Sequence, residues 1–163
     1  MNLEFTVTEA IVHSLGVINE IRYEFEEFTV EYVSAGITNK KEKRSRTYDT
    51  NITRKEYNKL AEQYHYGLSF DNFIVVLRPF MMGFYQNDEL EQAFRILDKN
   101  NSDSIDVDDL ANFLPIINEY ATSDTLKNYI KKSDFNFDEN LSYDEFRSLI
   151  LKGIGRDMIC THI

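Results

Sequence analysis

From Leu90 onward the apolar positions step by threes and fours in four short runs, divided by polar and acidic stretches. Leu90, Phe94 and Leu97 form the first stripe and Leu110, Phe113, Leu114 and Ile117 the second. Leu126, Tyr129 and Ile130 form the third, and Phe146, Leu149 and Ile150 the fourth. This spacing predicts four helices, each with one buried face. Asp88 with Glu91 has the form of a capping box before the first helix, and Ser123 that of an N-cap for the third. Upstream, Thr53 with Glu56 predicts another capped helix whose face carries Tyr57, Leu60 and Tyr64, and GLSFDNFIVVL predicts the helix after it. Earlier still, Ile11, Leu15, Ile18, Ile21, Phe25, Phe28 and Tyr32 predict one long helix from Thr6 or Thr8 to Ala35, stopped by Gly36. The alternation in RYEFEE would suit a strand, but the longer stripe favours helix. Periodicity then stops, and five basic residues fall among Lys40–Arg46. A solvated surface insertion is expected over about 37–51, with contact to an acidic partner or lipid headgroups as the alternative.

Two of the acidic stretches share one frame. DKNNSDSIDVDD, residues 98–109, places Asp98, Asn100, Ser102, the carbonyl of Ser104, Asp106 and Asp109 at positions 1, 3, 5, 7, 9 and 12. DFNFDENLSYDE, residues 134–145, places Asp134, Asn136, Asp138, the carbonyl of Asn140, Ser142 and Glu145 in the same way, 36 residues later. Hard cations such as calcium take roughly six to eight oxygens from a loop of this design. Position 8 is apolar in both, Ile105 and Leu141. One acidic run is a weak signal; two in one frame, each between predicted helices, are a strong one.

ELEQAFRILDKNNSDSIDVDDL and SDFNFDENLSYDEF resemble the third and fourth hands of the calmodulin-like EF-hand superfamily, and the likeness runs without gaps from about Leu68 to Lys152. It implies an all-α fold of two paired EF-hand lobes (helix, loop, helix), with Ile105 and Leu141 in a short bridging ribbon. It also implies calcium sensing, calcium buffering or light-chain-like scaffolding. The expected organisation is a degenerate N-terminal lobe over 1–78, a linker over 79–86, the EF-hand pair over 87–152 and a tail over 153–163. Leu68 lies 37 residues before Ile105, the place of position 8 in a preceding hand. Only His65, Tyr66 and Gly67 separate it from Tyr64, so that loop is too short and too poor in acids to wrap an ion. The linker RPFMMGFYQ holds Phe80, Met81, Met82, Phe84 and Tyr85, which need cover. The lobes are therefore expected to pack together compactly, or the segment to be a docking surface.

The loops depart from the family pattern at position 6, where a left-handed turn favours glycine and this chain has Asp103 and Glu139. Such strain is about 1–2 kcal/mol. Asp109 is one methylene shorter than the usual glutamate of position 12, which suits Mg²⁺ or weak Ca²⁺ binding. The second loop keeps Glu145 and adds Asp138, and is expected to be the stronger site. The alternative is that both loops hold their shape by hydrogen bonds alone.

Composition narrows the classes. A formal net charge of −10 argues against nucleic acid and against general binding to anionic membranes. The acid is uneven, with 16 Asp and Glu against 8 Lys and Arg from Asn87 onward. A single cysteine, Cys160, excludes an internal disulfide, no apolar run is long enough for a transmembrane segment, and no signal peptide is evident. A cytoplasmic protein is expected. His13, His65 and His162 are scattered and no nucleophile or phosphate-cradling motif appears, so a non-catalytic role is expected. CTHI puts Cys160 where a prenylated cysteine would stand, although His162 is not aliphatic, and THI has the form of a PDZ ligand. A frayed terminus is the favoured reading, with membrane contact through Cys160 or the basic loop a weak alternative. The leading expectation is a calcium-binding regulatory protein, a calmodulin-like calcium sensor that engages a selective protein partner through an amphipathic helix. A light-chain-like structural subunit independent of Ca²⁺, and a Ca²⁺/Mg²⁺ buffer of the sarcoplasmic calcium-binding type, are the alternatives.

Overall fold

The computed structural model describes residues 2–14, 17–30, 44–65, 67–116, 118 and 120–160. They fall into two units, Met1–Thr53 and Arg54–Ile163.

The first unit is a three-stranded antiparallel sheet in the order β1 (Asn2–Ser14), β2 (Val17–Val30), β3 (Arg44–Thr53). This corrects the long helix expected over 6–35 for its described residues, 6–14 and 17–30; the rest lies outside the described residues. The register pairs Ile11 with Ile21, Val7 with Phe25 and Phe5 with Glu27, and continues Ile21 to Ile52 and Phe25 to Tyr48. Odd positions 3 to 11 of β1 therefore share a face with 21, 23 and 25 of β2 and even positions 48, 50 and 52 of β3. Those positions are apolar or aromatic except for Glu9 and Thr50. The period of two in RYEFEE was thus the governing signal, supported by β-branched and aromatic residues that fit a pleated surface. Residues 44–51 of the expected insertion belong to β3, while its residues 37–43 and the expected Gly36 stop lie outside the described residues.

The second unit is helical, as the all-α expectation has it. Its helices are α1 (Arg54–Tyr64), α2 (Phe70–Met82), α3 (Glu89–Leu97), α4 (Val107–Ala111), α5 (Ser123–Lys131), α6 (Tyr143–Leu151) and α7 (Ile154–Cys160). The dead hand is as expected: α1 and α2 are joined by five residues, too few to encircle an ion. His65 stands at φ 55 in that link, and Ser69 caps α2 by accepting from the Asn72 N–H at 3.2 Å. Tyr57 is fully buried against Phe70 and Phe73, and its hydroxyl donates to the Leu68 carbonyl at 2.8 Å.

The expected linker is not a tether. Helix α2 runs through Pro79 to Met82 and ends on Gly83, whose φ of 71 a side chain would resist and whose N–H bonds the Pro79 carbonyl at 3.0 Å. Phe80 is wholly buried and touches Phe113 and Phe146, with ring centroids 5.1 and 5.7 Å away. Phe73 meets Phe113 and Phe146 meets Phe94, so one aromatic chain joins the dead hand to the helices around both loops. The compact packing expected of this segment is present, at least for the helices of the second unit.

Two helix starts differ from expectation. Thr122, not Ser123, caps α5, accepting from the Thr125 N–H at 3.3 Å. Asp88 makes no side-chain cap to the start of α3; its carboxylate accepts from Gln92 Nε2 at 2.8 Å instead. The helix after the first loop is short, five residues followed by a 3₁₀ turn at Leu114–Ile116. Pro115 explains the break, since it offers no N–H to a helical ladder and its ring clashes one turn back. The tail, expected to fray, forms α7 up to Cys160; residues 161–163 lie outside the described residues.

Replacing Phe80 by Ala should cost about 3–5 kcal/mol, read as a lowered midpoint in urea unfolding. Phe84→Ala, at a side chain 44% exposed, should change it by less than about 0.5 kcal/mol.

Candidate metal-binding loops

Each loop is built around the carboxylate at position 1. Asp98 Oδ1 accepts from the Ser102 N–H at 2.9 Å and Oδ2 from the Asp103 N–H at 2.9 Å. Asp134 repeats this, with Oδ1 accepting from the Asp138 N–H at 3.3 Å and Oδ2 from the Glu139 N–H at 2.9 Å. Position 3 closes a smaller turn inside the first: Asn100 Oδ1 accepts from Ser102 N–H and Asn136 Oδ1 from Asp138 N–H, at 3.0 and 3.1 Å. Asp and Asn are suited to this because a short side chain carrying an acceptor reaches its own backbone two residues on. Ser102 Oγ donates to the Ser104 carbonyl at 3.0 Å, and Asp138 Oδ1 accepts from the Asn140 N–H at 2.9 Å.

The left-handed turn expected at position 6 is present in both loops, Asp103 at φ 59 and Glu139 at φ 65. Position 4 is left-handed as well, Asn101 at φ 54 and Phe137 at φ 61, which the sequence reading missed. Asn101 tolerates this conformation, whereas Phe137 is bulky and 88% exposed, an uncommon residue for that region. The repeated Asn in KNN was the available clue in the first loop; in the second there was none.

Between the loops Ile105 and Leu141 form the expected bridge. Each N–H donates to the other's carbonyl at 2.8 Å, and neither side chain has any exposure.

The loops part company at position 12. Glu145 Oε1 reaches back to the start of its loop, accepting from the Phe135 and Asn136 N–H groups at 2.8 and 3.4 Å. Its Oε2 accepts from the Ser142 N–H at 2.9 Å and the Ser142 hydroxyl at 2.7 Å, completing a capping box at the head of α6. Asp109 makes the equivalent capping box with Asp106, at 2.9 and 3.0 Å, but among the described residues it makes no bond to the start of its loop. One methylene decides this. Both carboxylates are buried, yet their acidities diverge. Burial raises the Asp109 carboxyl above its ordinary range; the Asp106 N–H pulls it down, but the neighbouring Asp106 and Asp98 carboxylates add to the rise. Burial acts in the same direction on Glu145, but the donors from Ser142, Phe135 and Asn136 together outweigh it and hold that carboxyl low.

All twelve positions named from the sequence thus lie in two loops of one design, Asp98 to Asp109 and Asp134 to Glu145. The donor set is hard oxygen throughout, carboxylate, amide and hydroxyl, with a backbone carbonyl at position 7. Its carboxylates are turned to N–H groups, and among the described residues no three acidic, His or Cys side chains are gathered into a metal-binding cluster. No helix among the described residues is long and apolar enough to cross a membrane.

A family model described as an EF-hand domain pair matches residues 87–151. Calmodulin-like protein 6 of Oryza sativa subsp. japonica is 29% identical over 90 residues, 52% of this chain and 51% of that protein. Troponin C of Todarodes pacificus is 38% identical over 63 residues, 39% of this chain and 43% of that protein. Centrin-A of Dictyostelium discoideum is 28% identical over 105 residues, 64% of this chain and 69% of that protein. The chain thus spans about half the length, or less, of the first two relatives. Residues 87–151, with their paired loops and the Ile105–Leu141 bridge, are an EF-hand pair of the calmodulin-like kind.

Proposed function

We propose that this chain is a non-catalytic calcium-binding regulator whose principal site is the loop Asp134–Glu145. The observation that carries this reading is Glu145: the carboxylate of position 12 already spans its loop from the head of α6 to the N–H groups of positions 2 and 3. Asp134, Asn136, Asp138, Ser142, Glu145 and the Asn140 carbonyl would hold the cation, a set of oxygens of the kind calcium takes. The loop Asp98–Asp109 is the weaker site, since Asp109 bonds only within its capping box and falls short of the far side. It would use Asp98, Asn100, Ser102, Asp106, Asp109 and the Ser104 carbonyl, and its shorter carboxylate suits Mg²⁺ as well as Ca²⁺. The regulatory role rests on the likeness to calmodulin-like, troponin C and centrin proteins, and the partner it implies is an amphipathic helix of another protein.

A second reading is a structural subunit that grips its target without calcium. It is favoured by the hydrogen bonds that hold both loops in shape through their own carboxylates.

Calorimetric titration of the full chain with Ca²⁺ separates the two. Two binding steps are expected, the tighter lost in Glu145→Gln and the weaker lost in Asp98→Ala; no heat from the unmodified chain would leave only the structural reading. Replacing Glu139 and Phe137 by Gly removes two strained left-handed side chains, each worth about 1–2 kcal/mol. Either change should stabilise the fold by about that amount, read as a raised midpoint in urea unfolding. Asp109→Glu should strengthen the first site by about tenfold in the calorimetric titration.

A further inference from the structure

Helix α7 is seated against α2, α5 and α6, so it covers an apolar surface of the EF-hand pair. Met158 and Ile159 of α7 are each 1% exposed. Gly155 sits so close to the lobe that a Cβ there would lie 3.0 Å from Phe80 Cδ1 and 3.1 Å from Ile150 Cδ1. Polar bonds fix the pose. Arg156 Nε donates to the Met81 carbonyl at 3.0 Å and its Nη2 to the Met82 carbonyl at 2.7 Å, so a guanidinium caps the C-terminal end of α2. Asn118 Nδ2 donates to the Met158 carbonyl at 2.8 Å, and the Tyr129 hydroxyl to the Asp157 carbonyl at 3.4 Å.

The connection to the lobe is a joint. Gly153 is left-handed at φ 75, and a Cβ built on it would meet nothing within 4 Å. It is the open point between α6, which begins at the Glu145 capping box, and α7. At its far end α6 carries Leu149 and Ile150, whose side chains line the seat of Gly155.

We propose that α7 is a built-in plug, occupying in cis the surface through which the lobe would take a partner helix. This rests on the calcium-binding reading above. Glu145 now spends its oxygens on three N–H groups and one hydroxyl; turning them to a cation shifts the head of α6, and the lever of α6 moves Leu149 and Ile150 under α7. The pose also states what a competing helix must offer. It needs a small residue to face Phe80 and Ile150, an Arg next to it for the Met81 and Met82 carbonyls, and an apolar pair two and three residues after the Arg. In this chain those are Gly155, Arg156, Met158 and Ile159.

Amide hydrogen exchange of the full chain, with and without saturating Ca²⁺, tests this, with calorimetry run on the same samples. Residues 154–160 should exchange at least about tenfold faster with Ca²⁺ while α3 and α6 stay protected. Gly155→Leu, which cannot fit the seat, should show fast exchange at 154–160 in both conditions; if that variant unfolds as a whole, the unmodified chain decides alone. Exchange at 154–160 that is unchanged or slowed, with the calorimetric signal present, would overturn the plug and leave the calcium reading standing. Absence of any heat of binding would overturn both.

Discussion

The two N–H···O bonds between Ile105 and Leu141 set the geometry from which the rest of the second unit follows. They lie at position 8 of each loop, fully buried, and tie two otherwise separate turns into one body. An exchange of both bonds requires the loops to run antiparallel at that point. Four residues later each loop reaches its position 12 carboxylate at the head of a helix, so the bridge also places Asp109 and Glu145 in corresponding positions. A buried backbone pair of this kind has no substitute if it is lost, because each group left without its partner bears a desolvation cost of about 1–3 kcal/mol. The dead hand illustrates the alternative. Its own position 8, Leu68, has its carbonyl satisfied by the Tyr57 hydroxyl from within the same hand.

Given that fixed frame, the difference between the two loops reduces to side-chain reach. The turn nuclei are alike, Asp98 and Asp134 each holding the N–H groups of positions 5 and 6. The strained conformations are alike too. Only at position 12 does one loop close across itself and the other not, and the carboxyl acidities follow from that. Donors from three sides hold the Glu145 carboxyl low, whereas Asp109 lies among carboxylates with one N–H for relief. A pre-placed acceptor that spans its loop is the feature a hard cation uses, and Glu145 offers it where Asp109 does not.

The legibility of this chain follows the balance between local pattern and competing pattern. In the EF-hand pair the apolar spacing, the loop frame and the aliphatic at position 8 agreed, and the departures were confined to two helix starts and the length of α4. In Asn2–Thr53 two periods were written over one another. Ile11, Leu15, Ile18 and Ile21 fit a helix, while Leu3, Phe5, Val7 and then Ile21, Tyr23, Phe25 fit a strand, and β2 is paired on both sides, by β1 and by the more distant β3, which no window centred on β2 takes in. Pro115 was visible in the sequence and decisive for the short α4, but apolar neighbours on both sides masked it. Nor could the order of α7 be read locally. Seven residues with Gly at the second position make a poor isolated helix; it exists because Phe80, Ile150 and the α2 carbonyls receive it.

That last dependence bears on how the lobe could act. A sensor lobe presents an adaptable groove, often rich in methionine, when it opens. Here the surface on the pair is made of stiffer side chains, Tyr129, Leu149 and Ile150, and the methionines stand elsewhere: Met81 on α2 and Met158 on α7, both buried. One flexible residue thus belongs to α2, part of the seat, and one to α7, the helix that covers it. A rigid seat with a definite polar anchor, two carbonyls at the end of α2, discriminates among helices by the placement of one guanidinium more sharply than by apolar area, since an incoming helix without it leaves those carbonyls dry and unpaired. In the proposed plug, selectivity would reside in α2, which follows a link too short to encircle an ion and packs Phe73 and Phe80 on Phe113.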